Sequence, residues 1–180
     1  MSEKAKYLYP FPQRKPNDRS FAILSDWWQE LENNKGERAA LRRAGTLKEV
    51  VFCPSYHQLL RTLRNEGYSI AESRFSKLAA IAGLGARIKE DISGTLGEQM
   101  GTLKPGDKPA VSELRMRRVL ACDDLEELYV LLRRALGMLG DKASLAGLAA
   151  TIWQWEPLAE KMPYDSRKQM AYDYYETASK

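Results

Sequence analysis

Trp27-Trp28-Gln29-Glu30-Leu31, followed by Gly36-Glu37-Arg38-Ala39-Ala40-Leu41-Arg42-Arg43-Ala44-Gly45-Thr46-Leu47, is the stretch that decides the fold class. Leu24, Trp27, Trp28 and Leu31 recur at i, i+3, i+4 and i+7, which is one face of an amphipathic helix. Asn33-Asn34-Lys35-Gly36 stops that helix, with a tight turn expected at Gly36. A short second helix follows and closes at Gly45. With side chains about 100° apart around a helix, Ala40, Leu41 and Ala44 share its inner side, and Arg38, Arg42 and Arg43 point away. The apolar half of the stretch docks; the basic half faces outward.

The same pattern continues on both sides. Thr46 and Glu49 have capping-box spacing, in which each side chain satisfies a free backbone donor at a helix start. Pro54 suits a first helical turn, and Tyr56, Leu59, Leu60 and Leu63 form the next stripe, ended by Asn65-Glu66-Gly67. Ser69 with Glu72 is a second expected capping box, before the stripe Ala71, Phe75, Leu78, Ala79, Ala82 that closes at Gly83 and Gly85. Ser112 opens a helix with Met116, Val119 and Leu120 inward. Asp123 with Glu126 is a third capping pair, before Leu125, Leu128, Tyr129, Leu132, Leu136 and Leu139 hold one face for four turns up to Gly140. Leu145, Leu148, Ala149 and Ile152 run on to Pro157, and Asp165 caps a last helix through Met170, Ala171 and Tyr174. No stretch alternates long enough to demand a strand. The expected class is all-α, a compact antiparallel helical bundle over residues 20–180.

Two segments break the rhythm. Residues 1–19 carry Pro10, Pro12 and Pro16 with Lys4, Lys6, Arg14, Lys15 and Arg19. Proline blocks helix continuation, so they read as an extended basic arm ordered by a partner, or as a disordered tail. Residues 83–110 hold six glycines and two prolines. They read as a long excursion with a short helix around Leu96–Met100.

The chain's 180 residues fit one domain, and 28 Lys and Arg against 24 Asp and Glu leave a net charge of +4, so the placement of charge matters more than its sum. The start Met-Ser-Glu-Lys-Ala-Lys is not a secretory leader, and no apolar run approaches the roughly 20 residues a membrane helix needs. Cys53 and Cys122 are expected as free, buried thiols in a cytoplasmic protein. Catalytic sets are incomplete. His57 is the single histidine; with Cys53 it supplies half a zinc site, or a nucleophile pair lacking an orienting group. Asp123-Asp124 and Glu126-Glu127 sit where a helix dipole favours negative charge. Gly83-x-Gly85 follows a helix and lacks the lysine of a phosphate loop. Trp153, Trp155, Tyr172, Tyr174 and Tyr175 suit core or interface better than base stacking. No enzyme activity, metal or cofactor is expected.

Basic residues, in contrast, cluster. Beside Arg38, Arg42 and Arg43, Arg118 points opposite Met116, Val119 and Leu120, with Arg115 and Arg117 flanking. Arg134 lies opposite the leucine stripe and Arg133 beside it. Arg61, Arg64, Arg87 and Lys89 add lesser candidates. Such faces can be solvated surface paired with Glu113, Glu126 and Glu127, a grip on acidic partner proteins, or a track for a sugar-phosphate backbone.

Two blocks resemble a known family. Trp27-Trp28-Gln29-Glu30-Leu31 with Gly36-x-Arg38-Ala39-x-Leu41-Arg42-Arg43-Ala44 is the first. Leu114-Arg115-x-Arg117-Arg118-Val119-Leu120-Ala121, then Asp124-Leu125 and Leu132-Arg133-Arg134-Ala135-Leu136, is the second. Together with Leu148–Trp155 they resemble CasB, the small subunit of the type I-E CRISPR Cascade complex, over roughly residues 20–178. The resemblance implies an all-helical, non-catalytic subunit present as two head-to-tail copies. It implies contacts with the backbone and large subunits, with guide RNA and target DNA, and especially with the displaced DNA strand. It makes Arg38, Arg42, Arg43, Arg115, Arg117, Arg118, Arg133 and Arg134 the candidate nucleic-acid contacts. The arm and the 83–110 segment are longer here than the family's pattern.

Overall fold

The computed structural model describes residues 8–158 and 165–180. Among them the fold is all-α. Helices α1 (Arg19–Asn33), α2 (Lys35–Arg43), α3 (Leu47–Val51), α4 (Pro54–Asn65) and α5 (Phe75–Gly85) form the first half, with a 3₁₀ turn at Glu72–Arg74. Helices α6 (Leu96–Gly101), α7 (Glu113–Leu120), α8 (Leu125–Met138), α9 (Leu145–Trp153) and α10 (Ser166–Ala178) form the second. Four two-residue strands serve as clips: β1 (Glu90–Asp91) pairs parallel with β4 (Lys142–Ala143), and β2 (Leu103–Lys104) antiparallel with β3 (Lys108–Pro109).

α5 is the axis of the core. Leu78, Ala79, Ala80, Ile81, Ala82 and Leu84 are all buried, because a helix that is apolar all round can only be stable when neighbours cover every side. α3, α8 and α9 pack around it. α1 reaches this core through its tryptophan pair. Trp27 is buried and donates its indole N–H to Ser55 O at 2.9 Å; Trp28 is half-buried and donates to Ile88 O at 3.1 Å. The turn after α1 is at Asn34, not Gly36. Asn34 closes α1 with its backbone N–H on Leu31 O and opens α2 with its side chain accepting from Glu37 N, so Gly36 lies inside α2.

The capping boxes divide. Thr46 and Glu49 form one as expected. Ser69 and Glu72 do not, since Glu72 begins the 3₁₀ turn after Ala71 with no side-chain cap. The third pair is one residue off: Asp124 accepts from Glu127 N at 2.8 Å. Glu126 instead accepts from Leu47 N at 2.9 Å, tying α8 to the start of α3. Thr95 with Glu98, unremarked in the sequence, is a complete box at α6. Thr46→Ala should cost about 1 kcal/mol and lower the melting temperature by about 2–4 °C in a domain of this size, measured by circular dichroism; an unchanged transition would refute the cap's contribution.

Two segments differ from their sequence reading. Residues 83–110 are only partly an excursion: Leu84, Ala86, Ile88, Leu96 and Met100 are buried, the short helix is present as α6, and 89–95 and 102–110 run exposed or half-buried. Several of their glycines mark close approach, while Gly94 and Gly106 are turn glycines with positive φ. A Cβ on Gly97 would stand 2.6 Å from Met170 O, and one on Gly101 2.5 Å from Tyr174 O; these two, one turn apart, form the smooth face on which α10 lies. The described part of the arm is also docked. Phe11 is fully buried, with its ring 5.7 Å from Phe21 and 5.8 Å from Trp153, and its N–H donates to Ser20 Oγ at 2.8 Å. Ser69 N donates to Leu8 O at 2.8 Å. Lys4 and Lys6 lie outside the described residues.

Candidate nucleic-acid interface

The three arginines of α2 do not form one outward patch. Arg38 is turned along its helix toward the chain that leaves α5. It donates to Ile88 O at 2.7 Å and Ala86 O at 3.3 Å, pairs with Glu32 at 2.7 Å, and lies 5.8 Å from the Trp28 ring centroid. Carbonyls at a helix end lack intrahelical partners, and Arg38 supplies them from outside. Arg42, half-buried, has Nη2 3.8 Å from Asp141 Oδ2. Arg43 is exposed and has no partner among the described residues.

Asp141 gathers further cations. Arg87 Nη2 lies 3.5 Å and Lys89 Nζ 3.4 Å from its carboxylate. Arg87 and Lys89, lesser candidates from the sequence, thereby join Arg42. Lys35, Arg38, Arg42 and Lys89 line an open notch of about 430 Å³ together with Glu32 and Ala39. Asp141 and Lys35 carried no sequence signal: one is a lone acid in a turn, the other looks like any surface lysine.

α7 and α8 build a second basic feature. Arg115, Arg118 and Arg134 converge on a groove floored by Val111, Val119, Leu131, Ala135 and Met138, and no carboxylate is among the lining residues. All three arginines are exposed. Arg117 is engaged, pairing with Glu113 at 2.7 Å; the Tyr175 hydroxyl and then Glu113 hold its guanidinium more firmly protonated than usual. Arg133 turns into the framework, donating to Arg42 O at 3.1 Å with its guanidinium 5.7 Å from the Tyr129 ring centroid. It caps the end of α2 as Arg38 caps the end of α5. Arg64 is occupied similarly, donating to Ile70 O at 2.9 Å over the Phe75 ring.

Reactive groups are arranged for stability. Cys53 and Cys122 are free and buried. Burial, with Glu37 and Glu49, pushes the Cys53 thiol up; burial, then Glu127, pushes Cys122 up to about 11. A protonated thiol is a poor nucleophile. His57 Nε2 sits 2.7 Å from Val51 O, a position that requires it to donate. Trp153, Trp155 and Tyr174 are buried and belong to the core, while Tyr172 and Tyr175 are exposed on α10. Among the described residues no group of three or more His, Cys, Asp or Glu could hold a metal ion, and no helix is long and apolar enough to cross a membrane.

The profile of the family described as CRISPR-associated protein Cse2 matches residues 37–175. The chain belongs to the Cse2 family. Cse2 is the family also called CasB, so the resemblance carried by the arginine helices holds. The Cse2 match starts within the first turn of α2 and contains all eight candidate arginines, leaving the arm and α1 outside it. A solved chain is similar in fold: it belongs to the crystal structure of E. coli Cascade bound to a PAM-containing dsDNA target, with a TM-score of 0.64 and 20% identity over 88% of this chain and 95% of that one. No curated protein matches the sequence.

Proposed function

We propose that this Cse2-family chain is a non-catalytic subunit of a CRISPR RNA-guided DNA surveillance complex of the Cascade type. It acts in antiviral defence in the cytoplasm, and its exposed arginines hold nucleic-acid backbone, above all the displaced DNA strand. The observation that carries this reading is the convergence of Arg115, Arg118 and Arg134, from two helices, on one groove without an acidic lining residue. Arg42 and Arg43 extend the grip along α2. Arg38 and Arg133 hold the helices that present it, and Arg117 supports the α7 side. The partners are the backbone and large subunits, a second copy of the chain, guide RNA and target DNA. Sequence is read by base pairing in such complexes, so a protein subunit needs only shape and charge. Strand exchange is nearly balanced there, and a tenfold shift takes only about 1.4 kcal/mol.

Arg118→Ala with Arg134→Ala should weaken binding of a fluorescent single-stranded oligonucleotide about tenfold at about 50 mM salt and flatten the salt dependence by about 1.4 logarithmic units per decade, the loss of two single-strand phosphate contacts. Fluorescence anisotropy measures both, and R-loop lifetime in the assembled complex should fall in parallel. Unchanged affinity with an unchanged slope would sink the reading. One observation favours an adaptor role for the same groove: its floor is apolar, and Leu114, the residue before Arg115 on α7, is 73% exposed. Loss of partner-subunit binding with DNA affinity intact would select that reading.

A further inference from the structure

Asp141 is an acidic residue buried inside a basic site, on a backbone held by two hydrogen bonds. It is 6% exposed. Its backbone is left-handed at φ +59°, its N–H donates to Leu136 O at 2.8 Å, and its carbonyl accepts from Lys89 N at 2.8 Å. The backbone that carries the carboxylate is therefore held in place. Arg42, Arg87 and Lys89 stand 3.4–3.8 Å from it, yet Oδ1 is buried with no hydrogen-bond partner among the described residues. These are charge contacts, and they leave the N–H donors unspent: neither Arg42 nor Lys89 donates a side-chain hydrogen bond among the described residues. Both line the open notch, with Lys35 completing the rim.

We propose that this notch seats one phosphodiester of a nucleic-acid strand and that Asp141 is a built-in counter-charge limiting how tightly the seat holds. The inference rests on the nucleic-acid reading above and adds Lys35, Arg87, Lys89 and Asp141 to it. Five cations (Lys35, Arg38, Arg42, Arg87 and Lys89) against two carboxylates (Glu32 and Asp141) leave the seat attractive to a phosphate oxygen. Arg38 is spent on Glu32 and the backbone. The carboxylate makes no well-formed hydrogen bond to these cations among the described residues, so it does not orient the donors. Its effect on an arriving phosphate is repulsion, exerted by a buried carboxylate behind an open, solvent-screened notch. A strand that must be held during R-loop formation and later released is served by a grip with a fixed ceiling.

The test is oligonucleotide binding by the purified full chain, using a fluorescein-labelled oligo-dT at about 50 and 200 mM salt. Asp141→Asn keeps the shape, and asparagine tolerates the left-handed backbone better than most residues. It should bind about three- to tenfold more tightly at the lower salt, with a steeper salt dependence. Lys89→Ala should weaken binding, and should erase the gain when combined with Asp141→Asn. Asp141→Asn binding as wild type or more weakly, while Lys89→Ala still weakens, overturns the counter-charge and leaves the phosphate seat standing. If neither variant changes affinity but Arg118→Ala with Arg134→Ala does, the seat itself is overturned and the wider reading survives. Wild-type protein that fails to bind at either salt overturns both. Should Asp141→Asn not fold, Asp141→Gly relaxes the same backbone and gives the same readout.

Discussion

Gly101→Val lowers the melting temperature by about 10 °C. Two glycines one turn apart, Gly97 and Gly101, let α6 lie directly on the backbone of α10. A Cβ at Gly101 would stand 2.5 Å from Tyr174 O and 3.2 Å from Tyr174 Cα. Those atoms are helix backbone and cannot rotate aside, so α10 must move as a unit. That movement disturbs Tyr174, which is buried and donates its hydroxyl to Val111 O at 2.7 Å. Overpacking against flexible side chains costs about 1–3 kcal/mol; against rigid backbone we expect about 3–4 kcal/mol, or roughly 10 °C at 2–4 °C per kcal/mol. Gly137→Ala is the control. It lies in α8 with nothing within 4 Å of an added Cβ, so it should gain about 0.5–1 kcal/mol from helix propensity. Thermal denaturation of both variants decides the matter: a Gly101→Val transition within about 2 °C of wild type would mean that the two helices do not approach this closely.

Arg167→Ala is the other large loss. This guanidinium is 3% exposed and nearly all its donors are committed: Nε and Nη2 to Glu156 O at 3.1 and 2.6 Å, Nη1 to Leu120 O at 2.9 Å, and Nη2 to Asp123 Oδ1 at 2.6 Å. It lies 4.6 Å from the Trp155 ring centroid. It therefore joins the start of α10, the end of α7 and the chain after α9. Truncation leaves partly buried carbonyls without their donor, at up to about 1–3 kcal/mol each, and opens a void beside Trp155, so the expected loss in urea denaturation is about 3–4 kcal/mol. Arg167→Lys should recover less than half of it, because a single ammonium cannot span three directions. Exposed Arg118→Ala should stay within about 0.5 kcal/mol of wild type. A loss under about 1 kcal/mol for Arg167→Ala would overturn its role as a strut.

Helix faces were legible because the apolar period is read along one helix at a time. Leu24, Trp27 and Leu31 on α1, or Leu128, Leu132 and Leu136 on α8, needed no knowledge of their neighbours. The arginines exposed the limit of that method. A helical wheel places Arg38 and Arg133 relative to their own axes, but both are long enough to reach over the end of a crossing helix, where free carbonyls wait. Arg118 and Arg134 make no such contact among the described residues and are exposed. Glycine was ambiguous for a related reason. In 83–110 it reads as loop chemistry, yet the absence of Cβ serves close packing equally well, and only the position of α10 separates the two. Phe11 was hidden by flanking prolines, whose usual meaning is exposure. The Cse2 family itself was legible from the arginine helices, whose candidate arginines all lie within the matched residues 37–175.

The joint at Asn34 has a consequence for how such a surface can vary. One residue ends α1 and starts α2, and beyond it Trp28 and Arg38 both donate to the same oxygen, Ile88 O. The two helices thus close a small ring of chain whose circumference is fixed. One inserted residue would break both caps or turn α2 by about 100°, carrying Arg38 off the oxygen and Arg42 away from Asp141. Lys35 and Arg43 take no part in closing the ring. In this stretch, then, spelling is free at the cationic edge while spacing is not.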